Sequence, residues 1–166
     1  MADNVVRLLS TLALKGAVGH LADRYQAATG TRIDADFAPT LGLLKRLREG
    51  ETADVVILTR EGLEELVDEG SVTAAGCIDL ARSYLGIAVK AGAIHPDIAT
   101  EAALCATLLA ARSVAYSRIG ASGIFFAQLI ERLGIASEIN AKATITPSGF
   151  SVSQILSTSS RVRGSK

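Results

Sequence analysis

Arg32 to Thr59 reads RIDADFAPTLGLLKRLREGETADVVILT, and this stretch decides the fold. Its opening residues alternate, with Ile33, Ala35 and Phe37 on one side and Arg32, Asp34 and Asp36 on the other. That is the period of a strand with one covered face. Leu41 to Glu49 predicts a short helix stopped by Gly50. Val55 to Leu58, between Asp54 and Thr59, predicts a brief, wholly apolar strand. Strands alternating with helices of this length imply an α/β sheet with parallel crossovers.

The same rhythm runs outward in both directions. Toward the N-terminus, Val5 to Leu9 predicts a strand. Lys15 to Thr29 predicts a helix with Val18, Leu21, Ala22 and Tyr25 at helical spacing and Gly30 as its stop. Toward the C-terminus, Arg60 to Glu69 predicts a helix facing inward through Leu63, Leu66 and Val67. Further strands are expected at Tyr84 to Val89, Val114 to Ser117 and Ala143 to Thr146. Helices are expected at Glu101 to Ala111, capped by Thr100, and at Gly123 to Leu133, with Phe125, Phe126, Leu129, Ile130 and Leu133 inward. Ser151 to Lys166 departs from the pattern, with six serines, three basic residues and no acid, and reads as a solvated tail.

Composition removes several function classes. Seventeen Lys and Arg balance seventeen Asp and Glu, so no basic surplus is available to neutralise a nucleic acid. Hydrophobic residues at 49% supply a core, which excludes disorder across the whole chain. Aromatics at 4%, without Trp, leave little for stacking on bases or sugars. Cys77 and Cys105 form neither a disulfide framework nor a metal-ligand spacing and read as small hydrophobes. The mainly apolar run Ala102 to Ala111 is far shorter than the ~20 residues of a membrane span. No secretory leader precedes Val5, so the chain as written reads as soluble and cytoplasmic.

Catalytic motifs are absent. There is neither a Walker-type phosphate loop nor a G-x-G-x-x-G run. Gly120-Ala121-Ser122-Gly123 starts like a nucleophile elbow but has Ile124 where the pattern requires glycine. His20 and His95 have no evident partner, and Glu61, Glu64 and Glu65 form a solvated helix face. What recurs is a hydroxyl or small residue between a strand and the next helix: Ser10-Thr11, Pro39-Thr40 and Arg118 to Gly123. Ligands of open parallel sheets gather at the carboxyl ends of strands, where helix N-termini offer free N–H groups to an anion. Each hydroxyl taken alone is better read as an N-cap, and it is the coincidence of three that points to a site.

LLSTLALKGAV, ADFAPTLGLLKRLREGETADVVILT, AYSRIGASGIFFAQLIERLGI and INAKATITPSGF, in this order over residues 5–150, resemble the molybdate-binding-protein-like type 2 periplasmic solute-binding proteins of ABC importers. The resemblance implies two α/β lobes with mixed, mostly parallel sheets, at 5–80 and 81–150, ahead of a flexible tail at 151–166. It also implies a fold incomplete at its C-terminus, because family members continue for several dozen residues beyond Phe150. Carried over by position, the ligand-binding residues are Ser10, Thr11, Thr40, Ala121, Ser122 and Gly123, with Ser148 and Gly149 near a further contact loop.

The implied function is reversible capture of a small molybdate- or tungstate-like oxyanion between the lobes, without covalent chemistry, metal or cofactor. An ABC importer permease is the implied partner and the periplasm the implied location. Ala38-Pro39 supplies fewer hydroxyls than molybdate binders offer, which keeps a small carboxylate open. An unpaired strand edge would favour association of two copies. The alternative is a cytoplasmic isomerase or tautomerase acting on a small carboxylate, with His95 or Tyr116 as first candidates for its base. A third reading, a ligand-sensing module, would need a DNA-binding partner domain.

Overall fold

The strand periods close into two parallel sheets in the computed structural model, which describes residues 4–146. The chain divides into two units, Met1–Tyr84 and Leu85–Lys166. The expected tail and the contact loop with Ser148 and Gly149 lie outside the described residues.

In the first unit, β1 (Val5–Thr11), α1 (Lys15–Thr29), β2 (Arg32–Ala38), α2 (Thr40–Arg48), β3 (Val55–Ile57) and α3 (Arg60–Asp68) follow one another. The sheet order is β2-β1-β3, all parallel. Val5 to Thr11 pairs with Arg32 to Ala38, and Leu8 to Ser10 pairs with Val55 to Ile57. β1 is the central strand, so Leu8, Leu9, Ser10 and Thr11 are all buried. β2 is an edge strand and keeps its alternation, with Ile33, Ala35 and Phe37 half-buried between exposed charges. Leu9, Leu43, Leu44 and Leu66 are almost completely enclosed. Burial of each such side chain contributes roughly 1.5–3 kcal/mol.

α1 has the expected bounds. Gly30 ends it in the left-handed region at φ 75°, its N–H donating to the Gln26 carbonyl at 2.8 Å. Its expected apolar face is a different matter. Only Val18 is buried, while Leu21 and Tyr25 are exposed. Helical spacing places these residues on one side, but covering that side takes a neighbour, and among the described residues none covers it.

In the second unit, α4 (Glu101–Ala110), β4 (Val114–Tyr116), α5 (Ala121–Arg132), α6 (Ala136–Ala141) and β5 (Ala143–Ile145) surround one core. Leu108, Tyr116, Phe126, Ile130, Ile135 and Ile139 build that core, with Cys105 half-buried against it. β4 and β5 pair in parallel. α5 starts at Ala121 rather than Gly123, and Phe125 turns outward. α6 has no counterpart in the sequence expectations, because a single turn and a half is too short to show a period.

The strand expected at Tyr84 to Val89 is corrected: the segment is irregular, and Tyr84 is 90% exposed. A strand-like composition becomes a strand only when a neighbour accepts its backbone hydrogen bonds, and no described strand lies beside it.

An ion network fastens the first unit at its surface. Glu51 accepts hydrogen bonds from Arg46 Nε at 2.5 Å and Nη2 at 2.7 Å, and from Arg7. Arg46 also reaches Asp36 Oδ2 at 2.6 Å. The Arg46 hydrogen bonds, helped by Arg7, hold the Glu51 carboxyl down to about 2. Asp36 is lowered too, by the same guanidinium and then by the Phe37 N–H. A depressed carboxylate gives stability that is complete above its ordinary value near 4.5 and is lost as pH falls toward 2. Thermal melts from pH 5 to pH 2 are expected to fall more steeply for the wild type than for Glu51→Gln. Parallel curves would show the network to be idle. The effect is modest because the pairs are solvent-exposed.

Candidate functional site

Parallel pairing puts the C-terminal ends of β2, β1 and β3 along one edge of the first sheet. Thr11 is in register with Ala38, so the Pro39-Thr40 corner follows immediately beside it. Ser10 is in register with Ile57, so Leu58 and Thr59 follow on its other side. The Thr40 methyl lies 3.7 Å from where a Cβ on Gly62 would sit, which brings the starts of α2 and α3 together. Three strand-to-helix corners thus share one edge, and Ser10, Thr11 and Thr40 are gathered there.

Their hydroxyls differ from ordinary caps. Thr59 Oγ1 accepts from the Gly62 N–H at 3.3 Å, and Thr100 Oγ1 accepts from the Ala103 N–H at 3.1 Å. These are working N-caps. Thr40 is instead the first residue of α2, behind Pro39 at the cap position, and no side chain caps that helix. Thr40 is 3% exposed and its Oγ1 has no hydrogen-bond partner among the described residues. The N–H groups of Thr40 and Leu41 find no acceptor among the described residues. Thr11 also caps nothing through its side chain, and the fully buried Ser10 Oγ donates to the Thr11 carbonyl at 3.2 Å. A buried, unpaired hydroxyl costs about 1–3 kcal/mol. Beside N–H groups without acceptors at a helix start, it makes a donor set of the kind that can pair with an anionic oxygen.

Lys15 was not among the expected site residues. It begins α1, and its ammonium stands 5.9 Å from the centre of the Phe37 ring. Phe37 is in register with Ser10, so a cation stands near the hydroxyl edge. A lysine opening a helix gives no sequence signal of its own; only the register reveals its position.

In the second unit, Ser117 to Gly120 turns between β4 and α5. Ser117 Oγ accepts from the Ile119 and Gly120 N–H groups at 3.3 and 3.4 Å. Ala121 and Ser122 open α5, and their N–H groups find no acceptor among the described residues. Gly123 is buried, and a Cβ there would lie 1.4 Å from the Ser117 carbonyl oxygen. Its N–H already donates to the Gly120 carbonyl at 3.0 Å. Close packing of helix on strand accounts for this glycine.

The two candidate bases stand in different settings. His95 lies exposed in the irregular segment. Tyr116 is buried in the second core, edge-on to Phe126, and its hydroxyl donates to Asn140 Oδ1 at 2.7 Å. Among the described residues no group of three or more His, Cys, Asp or Glu side chains is gathered as a metal site would require.

Known proteins share this architecture. The substrate-binding domain of a putative molybdenum ABC transporter from Clostridium difficile superposes with a TM-score of 0.54 at 12% identity, over 93% of this chain and 66% of that one. The periplasmic molybdate-binding protein of Azotobacter vinelandii gives a TM-score of 0.59 at 17% identity, over 93% and 68%. At such identities the likeness is one of fold: α/β with parallel sheets, and incomplete relative to those chains.

An aconitate isomerase from Pseudomonas sp. is 35% identical over 146 residues, covering 84% of this chain and 55% of that protein. The chain therefore spans about half the length of this curated relative. The match corrects the expectation that the protein is not an enzyme. Hydroxyls and backbone amides look the same in a receptor and in an isomerase, so their pattern had no power to exclude chemistry. Residues 6–161 match the family described as bacterial extracellular solute-binding protein, and the chain belongs to that family.

Proposed function

We propose that the chain binds a small polycarboxylate through the donors at its strand ends and takes part in interconverting isomers of that acid, as the name of its Pseudomonas relative describes. The observation that carries the reading is the buried hydroxyl of Thr40, which, like the N–H groups beside it, has no partner among the described residues. Lys15 supports a polyanion, since a cation near the edge offsets charge that neutral dipoles alone would have to hold.

The test adds cis- or trans-aconitate to the full chain in deuterated water, following heat by calorimetry and the acid by NMR. Binding together with appearance of the other isomer is the expected result. Binding without any conversion would remove the isomerase half of the proposal, and no binding of either acid would remove the whole.

A second reading, an oxyanion receptor serving an ABC importer, is favoured by the molybdate-binding structural neighbours. Molybdate and tungstate titrated in parallel separate the two. Heat from the oxyanions alone would favour the receptor.

A further inference from the structure

We infer that Lys15 selects a tricarboxylate over a dicarboxylate, by pairing with the third carboxylate of an acid held at the hydroxyl edge of the first unit. This deepens the polyanion reading above and rests on it. Hydroxyls and N–H groups are neutral donors. They hold an anionic oxygen but respond weakly to how many further charges the ligand carries, whereas a cation beside them responds directly.

Local geometry places Lys15 for that role. A short 3-10 turn, Leu12–Leu14, links the end of β1 to it, and its N–H donates to the Leu12 carbonyl as that turn closes. Its side chain is exposed, and its ammonium stands over the Phe37 ring at 5.9 Å, within cation–π range. Phe37 is in register with Ser10 and Ala38 with Thr11, so ring and ammonium lie beside the strand end that carries both hydroxyls.

The charge at this place is uncompensated. Arg7, Arg32, Lys45, Arg46, Arg48 and Arg60 of the first unit each stand within ion-pair distance of a carboxylate. Lys15 has no such partner among the described residues and rests on an aromatic face instead. The ring holds the ammonium without neutralising it, which makes Phe37 a positioning residue. Lys15 also opens α1, whose first turn has no acid, so its charge adds to the positive end of a helix of 15 residues. A cation there is unfavourable in the unliganded protein, and an incoming carboxylate turns the same placement into an attraction.

Fumarate and trans-aconitate isolate the third charge. Both carry two carboxylates across a trans double bond, and trans-aconitate adds one carboxymethyl arm. By calorimetry at low salt, wild type is expected to bind trans-aconitate about 10-fold more tightly than fumarate. Lys15→Gln should weaken trans-aconitate about 10-fold and leave fumarate within about twofold, while Lys15→Arg keeps the preference. A merely structural role would weaken both acids alike. Salt gives a second readout: between about 20 and 200 mM, affinity for trans-aconitate should fall more steeply than affinity for fumarate, and Lys15→Gln should bring the two slopes together.

Equal affinity of Lys15→Gln and wild type for trans-aconitate, or equal weakening of both acids in Lys15→Gln, overturns the selector role and leaves the polyanion reading standing. So does a wild type that binds both acids alike. A wild type that binds neither acid overturns that reading, and the role of Lys15 with it.

Discussion

Gly123→Ala is expected to unfold the second unit while the first retains its structure. A methyl group at this position would sit 1.4 Å from the Ser117 carbonyl oxygen, inside any van der Waals contact. The obstacle is backbone, so no rotamer change relieves it; α5 must withdraw from the end of β4. Phe126 and Ile130, which α5 contributes to the second core, would withdraw with it. In an unobstructed helix, alanine would gain up to about 1 kcal/mol over glycine. Here the clash reverses the sign, and a loss of about 3 kcal/mol or more is expected, a large share of the ~5–15 kcal/mol of a typical domain.

Gly120→Ala is the matched control, since its Cβ would meet only the Ser117 hydroxyl at 3.8 Å, an ordinary contact. Hydrogen exchange read separately over the two units gives the answer. Protection of α5 and β4 in Gly123→Ala equal to that in Gly120→Ala would refute the steric account.

Thr40→Val is expected to weaken binding of a polycarboxylate by roughly 10- to 100-fold without loss of stability. The hydroxyl is buried and unpaired among the described residues, so its removal relieves a cost of about 1–3 kcal/mol, and the valine methyl groups fill the same volume. A true cap behaves in the opposite way. Thr100→Ala deletes the hydrogen bond to the Ala103 N–H and should cost about 1 kcal/mol, with no effect on ligand. Thermal melts and calorimetry on the two variants therefore form a crossed pair. If Thr40→Val lowered stability as Thr100→Ala does and bound ligand normally, Thr40 would be a helix-start residue and nothing more.

The contrast between these two threonines shows where local reading ends. Both precede or open a helix, and both fit the cap preference equally well from sequence. The difference is one position: Thr100 stands outside α4 and turns back onto it, whereas Pro39 occupies the cap position of α2 and leaves Thr40 inside the first turn. Gly123 was legible as a small residue at a strand-to-helix corner, but the group that packs on it is the chain's own Ser117 carbonyl. Lys15 was not legible at all, because its place near the hydroxyl edge follows only from the register of β2 on β1.

The sequence by itself determined the alternation of strands and helices, the stops at Gly30 and Gly50, and the hydroxyls at strand ends. These follow from side-chain period and backbone preference within a few residues. Tertiary structure alone decided that β1 is central, that Leu21 and Tyr25 of α1 are exposed, that Tyr84 to Val89 is irregular, and which hydroxyls lack a partner among the described residues. Those outcomes depend on what lies across a sheet or against a helix, and the free energy of a buried polar group is set by its spatial neighbours rather than by its neighbours in the chain.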